Sequence, residues 1–194
     1  MREVRARCAD LPAPVPGERL FPETRDAAVL LPVFEADGEA RLVLTRRPDT
    51  MSHHQGEIAF PGGKIDPAVD ASPRDAALRE AEEEIGLARE AVDLIGELDP
   101  MHTFAGPFLI SPFVGALDEP PELVPDPREV ERVFDVALSE LLSDEVYRAE
   151  RWGDMFGANR AMHFFELEDE TVWGATARIL VGFLAHLVGV PAEV

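Results

Sequence analysis

The feature that most constrains the fold of this chain is a helix with clear signals at both ends, preceded by a strand and two glycines. Ser72 is a favourable N-cap residue, Pro73 suits the first helical position, and Gly86 suits the position that follows the last turn. Apolar residues recur at helical spacing between these signals. The sequence therefore predicts a helix that begins at Pro73 and stops at Gly86. Upstream, Glu57–Phe60 predicts a short strand that ends in a Pro-Gly-Gly segment.

Three carboxylates fall on one face of this helix. Glu80, Glu83 and Glu84 are spaced i, i+3 and i+4, so they lie within about 100° of one another. Such neighbours repel by roughly 0.2–0.5 kcal/mol per pair, whereas hard carboxylate oxygens in this arrangement suit Mg²⁺ or Mn²⁺. A solvated acidic face is the commoner explanation of the charge pattern alone. The preceding Gly62 and Gly63 allow backbone to approach a ligand closely, and the combination favours a metal site.

The remaining pattern predicts a sheet flanked by helices. Ala27–Phe34 and Ala40–Thr45 are expected to form a hairpin that turns at residues 35–38. Further strands are predicted at 92–98, 109–117, 132–136 and 162–167, and further helices at 139–147 and 172–188. Because strands and helices alternate without a regular βαβ order, we expect an α/β fold with a mixed sheet. Residues 1–25 are predicted to form an irregular arm, and residues 26–194 a single domain.

The excess of acidic residues limits the possible partners. The chain has 38 Asp and Glu against 18 Lys and Arg, which gives a net charge of −20 at pH 7. Such a surface repels nucleic acid and anionic lipid, because phosphate backbones are bound by Lys and Arg. A phosphate ligand then needs local positive charge, which divalent metal ions supply. Lys64 is the only lysine in the chain, so nearly all of the positive charge is arginine.

Two further features concern the cellular compartment. No apolar run is long and uninterrupted enough to cross a bilayer, Ile179–Val190 included, and no apolar segment of a secretory signal follows Arg5. Cys8 is the only cysteine, so an internal disulfide is excluded and a reducing cytoplasm is favoured. We therefore expect a cytoplasmic protein that acts on a small molecule and binds neither nucleic acid nor membrane. The sequence carries no signal for an oligomeric state.

Residues 63–87 resemble the Nudix box, the loop–helix–loop motif of the Nudix hydrolases. The matching positions are Gly63, Arg79, Glu80, Glu83, Glu84, Gly86 and Leu87. The spacing between Gly63 and Arg79 is longer by two residues than in the family's pattern, and Ala71 stands where a structural glutamate is expected. Asp70 is the nearest acidic residue, so the loop is lengthened and the glutamate is replaced or lost. This departure concerns loop geometry more than metal binding.

Residues 43–63 are similar to the signature of the coenzyme A diphosphatases within that family. The positions that match in register are Leu44, Thr45, Arg47, Gly56, Phe60, Pro61, Gly62 and Gly63. Val43, Pro48 and Ser52 depart from the signature, and Ser52 stands in place of an arginine, which is a natural phosphate ligand. The resemblance implies hydrolysis of coenzyme A, or of its derivatives, to 4′-phosphopantetheine and adenosine 3′,5′-bisphosphate.

The resemblance also implies a fold and a role for each site residue. The fold would be the Nudix fold, an α/β/α sandwich around a central mixed sheet. Glu80 and Glu84 would bind Mg²⁺ or Mn²⁺ directly. Glu83 would bind the metal directly or through water and is the favoured general base, and Arg79 would orient the carboxylates. The further residues implied are the Gly63 carbonyl and Glu129 for the metal, and Arg46, Arg47, His53 and Gly62 for the substrate.

Several alternatives remain open at this point. Another nucleoside diphosphate derivative, such as ADP-ribose or NADH, would use the same metal site. A ligand sensor without catalytic activity would share the fold, although intact Glu80, Glu83 and Glu84 argue against it. The adjacent His53 and His54 are as consistent with an ordinary polar loop as with phosphate binding.

Overall fold

The computed structural model describes residues 1–50, 55–103, 106–153 and 160–191. Strands β1 (Arg25–Ala36) and β2 (Glu39–Arg46) form the predicted antiparallel hairpin. Asp37 and Gly38 connect them, and both have positive φ angles, 53° and 78°. Two-residue turns of this kind match the right-handed twist of the flanking strands. The hairpin and its turn are therefore as the sequence predicted.

The hairpin opens away from its turn, and the glycine segment fills the space. Direct pairing of β1 with β2 extends only to Val33 opposite Leu42. Beyond that pair, β3 (Ile58–Ala59) pairs with the end of β2, and β4 (Gly62–Lys64) pairs with β1. The Pro61 carbonyl also accepts a hydrogen bond from the Leu30 backbone. The two glycines are consequently held inside the sheet by backbone hydrogen bonds.

The rest of the sheet is mixed, as predicted. Its other strands are β5 (Asp93–Glu97), β6 (Met101–His102), β7 (Phe108–Ala116) and β8 (Arg132–Ala137). Strand β7 runs parallel to β1, whereas β5 and β6 pair with β7, and β8 with β2, in antiparallel fashion. A short 3₁₀ helix, Arg89–Ala91, precedes β5.

Helices cover both faces of this sheet. Helix α2 (Pro73–Ile85) packs its alanines and Ile85 on one face against a cluster that includes Leu30 and Val43. The other face, which includes Leu31 and Leu44, carries α4 (Gly174–Val188) and α1 (Arg2–Ala9). The molecule is thus an α/β/α sandwich, and the predicted fold class is confirmed. Within the described ranges, no helix has the length and apolar character required to cross a membrane.

Helix α2 ends where the sequence signals place its ends. The Ser72 hydroxyl accepts a hydrogen bond from the Asp75 backbone at the N-terminus. Gly86 adopts a left-handed conformation with φ of 69°, and its N–H group bonds back to the last turn. Both interactions are local, so both could be predicted from the sequence.

The structure corrects two expectations. Residues 1–25 are not irregular throughout, because Arg2–Ala9 form α1, which buries Val4 and Cys8 in the core cluster on the α4 side. The helix predicted over 139–147 stops early: α3 spans only Leu138–Leu141. Residues 147–152 instead form a strand of a separate three-stranded sheet. Its strands are β9 (Tyr147–Trp152), β10 (Arg160–Glu166) and β11 (Thr171–Val172).

Candidate active site

The two glycines of β4 stand where side chains have no room. A Cβ atom on Gly62 would lie 2.4 Å from the Ala28 carbonyl oxygen, and one on Gly63 would lie 2.5 Å from the carboxyl group of Glu80. Both distances are shorter than any normal contact of a Cβ atom. The absence of side chains therefore lets α2 bring its carboxylates directly against the β4 backbone.

Glu84 is the most deeply placed of these carboxylates. It is only 4% exposed, and its Oε2 accepts a hydrogen bond from the Gly62 N–H group at 3.1 Å. Burial raises the pKa of Glu84 to about 8, and the charges of Glu80 and Glu129 act in the same direction. The hydrogen bond from Gly62 and the charge of Arg47 oppose the rise. A buried carboxyl group thus faces further acidic groups at this point.

Glu80 lies beside Glu84 and shares its environment. Burial is the main cause that raises the pKa of Glu80, with added repulsion from Glu83 and Glu129. Hydrogen bonding to Arg79 acts in the opposite direction. Glu80 is therefore within electrostatic influence of the other three predicted glutamates, and Glu129, from the loop before β8, acts on both Glu80 and Glu84.

Arg79 is fixed by a carboxylate that the sequence motif did not assign. Its Nε and Nη2 atoms donate to the two carboxylate oxygens of Asp70 at 2.9 and 3.0 Å, and the Asp70 side chain is only 2% exposed. The Asp66 backbone N–H also donates to Asp70, at 2.8 Å. These bonds hold the pKa of Asp70 below its usual range, and the pairing raises that of Arg79. Asp70 thus provides the carboxylate that the lengthened loop lacked at position 71.

The Nη1 atom of the Arg79 guanidinium contacts two of the predicted metal ligands. Nη1 lies 2.8 Å from a carboxylate oxygen of Glu80 and 2.9 Å from one of Glu83. Nη2 also donates to the Lys64 carbonyl at 3.2 Å, which ties α2 to β4. Arg79 therefore contacts two of the predicted metal ligands while it is itself held by Asp70.

These residues fit a divalent cation by their donor chemistry. All side-chain donors are carboxylate oxygens, which Mg²⁺ and Mn²⁺ prefer. Burial raises the pKa of Glu80 and of Glu84, because negative charge is costly here, and a cation would offset that cost. Among the described residues, no group of three or more ligating side chains is gathered as a ready-made cluster. Glu80 and Glu83 instead face Arg79.

A cavity of about 510 Å³ opens on the other side of β4, under the first turn of α4. Gly62 and Gly63 contribute to its lining, so the β4 backbone borders the cavity as well as the carboxylates of α2. Arg47 lines the cavity at the end of β2. The lining also includes three aromatic residues, which are Phe60, Phe108 and Trp173. The cavity therefore combines apolar area with a few polar groups, as small-molecule sites do.

The residues predicted to bind substrate have different locations. Arg47 and Gly62 line the cavity, whereas Arg46 forms ion pairs with Asp49, Glu131 and Glu170 and does not line it. Neighbouring residues of a strand point to opposite sides, which separates the two arginines. His53 lies outside the described residues.

The molecule has a mixed sheet between two helical layers, with a carboxylate-bearing helix against a Gly-Gly strand and a cavity behind it. This arrangement and the comparisons with known proteins place it among the α/β hydrolases that cleave phosphoric anhydride bonds. The family model of the NUDIX domain matches residues 24–155. The chain belongs to the Nudix hydrolase family, whose members generally use divalent metal ions and act on small nucleotide-linked substrates.

Similar proteins come from bacteria and plants. The chain is 39% identical over 172 residues to the uncharacterized Nudix hydrolase NudL of Photorhabdus laumondii, covering 88% of this chain and 89% of that protein. It is 40% identical over 166 residues to the chloroplastic Nudix hydrolase 22 of Arabidopsis thaliana, covering 81% of this chain. The chain spans about half the length of that plant relative, 53%.

Solved structures agree on the fold. The Nudix hydrolase RenU of M. smegmatis is 26% identical, with a TM-score of 0.50 over 60% of this chain and 73% of that one. A MutT/nudix family protein of Enterococcus faecalis has a TM-score of 0.59 over 93% of this chain and 65% of that one, at 15% identity.

Proposed function

We propose that the protein hydrolyses the diphosphate bond of coenzyme A, or of a derivative of it, with Mg²⁺ or Mn²⁺ as cofactor. The observation that carries this proposal is the convergence of Arg47, Phe60, Gly62 and Gly63 on one cavity. In the sequence, Arg47 lies well before the adjacent group of Phe60, Gly62 and Gly63, and the signature relates them by spacing alone. Their meeting at a site of about 510 Å³ supports a common ligand of small-molecule size.

The cation is proposed to bind Glu80 and Glu84, with Glu83, Glu129 and the Gly63 carbonyl as further oxygen donors. A divalent cation bound there lowers the pKa of a coordinated water and neutralises charge on the diphosphate. Asp70 and Arg79 do not need to contact substrate in this scheme. They hold Glu80 and Glu83 in place through the hydrogen bonds described above.

The chain's own residues then perform three tasks. Arg47 binds a non-bridging oxygen of the diphosphate from the cavity side. Glu83 is the most exposed of the three helix carboxylates, with 59% of its side chain accessible, so a water molecule can reach it. In the proposed step, Glu83 accepts the proton as the water oxygen bonds to one phosphorus. The bond between that phosphorus and the bridging oxygen breaks, and the bridging oxygen leaves on the other phosphate.

A substrate panel tests this proposal. Coenzyme A, ADP-ribose, NADH and a nucleoside triphosphate are offered at equal concentration with Mg²⁺ or Mn²⁺, and the products are identified by mass spectrometry. We expect the highest kcat/KM with coenzyme A or a thioester of it, and adenosine 3′,5′-bisphosphate among the products. A clear preference for ADP-ribose or NADH would overturn the substrate assignment and leave the hydrolase class intact.

A pair of variants tests the proposed metal ligands in the same assay. Glu84→Gln removes the charge of the buried carboxylate, whereas Glu82→Gln removes a charge from the same helix on the side that faces Arg89. We expect activity to fall by orders of magnitude in the first variant and to stay near the wild-type value in the second. Equal activities would contradict the assignment of Glu84.

A further inference from the structure

The cavity has a second group of basic residues, on β1 and β4, whereas Arg47 shares its end of the cavity with the acidic Glu57. Arg25, at the start of β1, and Lys64, at the end of β4, both line it. Lys64 lies opposite Ala27 in the antiparallel pairing of β4 with β1, and Arg25 precedes Ala27 by two residues. Residues two apart in a strand share a face, so both cationic side chains lie on the cavity side of the sheet.

Phe108 joins these two residues into one group. It is the partner of Arg25 in the parallel pairing of β1 with β7, and the Lys64 ammonium group lies 5.9 Å from the centre of its ring. A cation at that distance from an aromatic ring is attracted by the ring's negative face. Phe108 thus places the lysine beside the arginine at the outer part of the cavity.

The charge balance of the molecule bears on this pair. Acidic residues outnumber basic ones by 38 to 18, and many arginines elsewhere form ion pairs, such as Arg41 with Asp135 and Arg148 with Glu166. Among the residues that the structure describes, neither Arg25 nor Lys64 forms an ion pair with a carboxylate. Lys64 is also the single lysine of the chain.

The two charged ends of the cavity are distinct along the sheet. Arg47 follows β2, and β3 and β4 lie between β2 and β1 where the hairpin has opened. The two ends are therefore separated by more than one strand spacing, each of which is about 4.8 Å. A ligand that engages both ends therefore carries two separate anionic groups, and the one near Arg47 is next to the carboxylates of α2.

We propose that Arg25 and Lys64 form a second anion subsite, which binds a phosphate monoester on the ribose of the nucleotide substrate. The subsite determines specificity and takes no part in bond cleavage. The inference rests on the proposed function, because coenzyme A carries such a phosphate at the ribose 3′ position whereas ADP-ribose and NADH do not. Two charge-assisted contacts at this position correspond to roughly a 10–100-fold preference for the phosphorylated ligand.

Direct binding tests the subsite without turnover. Isothermal titration calorimetry measures the dissociation constants of adenosine 3′,5′-bisphosphate and of AMP, at fixed Mg²⁺ and ionic strength. The proteins are the wild type, the double variant Arg25→Gln/Lys64→Gln, and a control, Arg2→Gln/Arg151→Gln. The control removes the same charge from exposed positions on α1 and β9. Circular dichroism and thermal melts establish that each variant is folded.

We expect the wild type and the control to bind the bisphosphate at least tenfold more tightly than AMP. The double variant should lose that preference while its affinity for AMP stays within about twofold. Equal affinity of the wild type for both ligands would overturn the inference. So would a double variant that loses both ligands equally, since the two cations would then serve the 5′-phosphate or the diphosphate.

Kinetics separate this inference from the proposed function. With the wild type, coenzyme A and dephospho-coenzyme A are compared, and the double variant should raise KM for coenzyme A alone, with kcat unchanged. If the wild type instead prefers ADP-ribose, the proposed substrate is wrong, and the ratio of binding constants still decides whether the subsite exists.

Discussion

The buried contact between Asp70 and Arg79 gives the sharpest prediction about stability. Asp70→Asn removes the negative charge and replaces one acceptor oxygen by an amide. Asp70 accepts three hydrogen bonds, two from the guanidinium and one from the Asp66 backbone, and its side chain is 2% exposed. Asparagine offers one acceptor oxygen where the aspartate offers two. At least one donor therefore loses its partner in a place that water reaches poorly.

The expected cost follows from that burial. Removing one partner of a buried ion pair costs about 3–5 kcal/mol. The Arg79 side chain keeps 14% of its surface exposed, so water partly replaces the lost contact and the lower end of the range applies. For a protein of this size, 1 kcal/mol corresponds to about 2–4 °C in Tm. We therefore expect Asp70→Asn to lower Tm by roughly 6–12 °C.

Urea unfolding and thermal melts at pH 7 measure this effect. Asp169→Asn is the control, because it removes the same charge from an exposed residue, and it should change stability by less than about 0.5 kcal/mol. Activity should also fall in Asp70→Asn, since Arg79 then holds Glu80 and Glu83 less firmly. If Asp70→Asn is as stable as the control, the pair does not organise this loop and the reasoning is wrong.

The same pair predicts a dependence on pH. The pKa of Asp70 is lower in the folded protein than in the unfolded chain, chiefly because of the hydrogen bonds from Arg79. The stability that it contributes is therefore fully present above the unfolded pKa of about 3.9 and is lost as the pH falls through the folded value. Acid titrations of wild type and Asp70→Asn should thus converge in stability below that range. Parallel curves down to pH 2 would contradict this assignment.

Three further predictions concern the site. Mg²⁺ at 100 times its dissociation constant should stabilise the wild type and Glu82→Gln by about 2.7 kcal/mol. It should stabilise Glu84→Gln by clearly less. Equal shifts in Tm for all three proteins would refute the metal site. Arg47→Gln should raise KM for coenzyme A about tenfold or more, whereas Arg46→Gln should leave KM unchanged. Steady-state kinetics measure both values, and a larger rise of KM in Arg46→Gln would contradict this prediction. Gly62→Ala should destabilise the fold by about 1–3 kcal/mol or more in urea, because its Cβ would meet the Ala28 carbonyl; a neutral effect would exclude the close approach.

Features with local causes were predictable from the sequence. The ends of α2 depend on Ser72, Pro73 and Gly86, each of which acts within one turn of its own position. The turn of the β1–β2 hairpin depends on Asp37 and Gly38 in the same way. The spacing of the helix glutamates follows from helix geometry alone. In these places, the local preference of the chain and its tertiary structure agree.

Features that depend on distant contacts were not predictable. Helix α1 buries only Val4 and Cys8, which is too weak a pattern to identify without the remote residues they pack against. The strand at 147–152 exists because β10 pairs with it, and its own residues do not alternate between buried and exposed positions. For Arg46 and Arg47, the motif contains both residues, but only the geometry at the end of β2 decides which one lines the cavity.

The opened hairpin has a consequence for how new substrate preferences can arise in such a protein. Both the carboxylates of α2 and the cavity lining are anchored to one short strand, Gly62–Lys64, which is fastened to β1 by ladder hydrogen bonds. The position of the α2 carboxylates relative to the cavity is therefore set by the geometry of a β-sheet, whose dimensions hardly vary. Lining residues that lie outside this strand, such as Thr103 and Trp173, can change in composition without displacing the carboxylates of α2. The substrate preference of such a protein can therefore change during evolution while the carboxylates of α2 keep their positions.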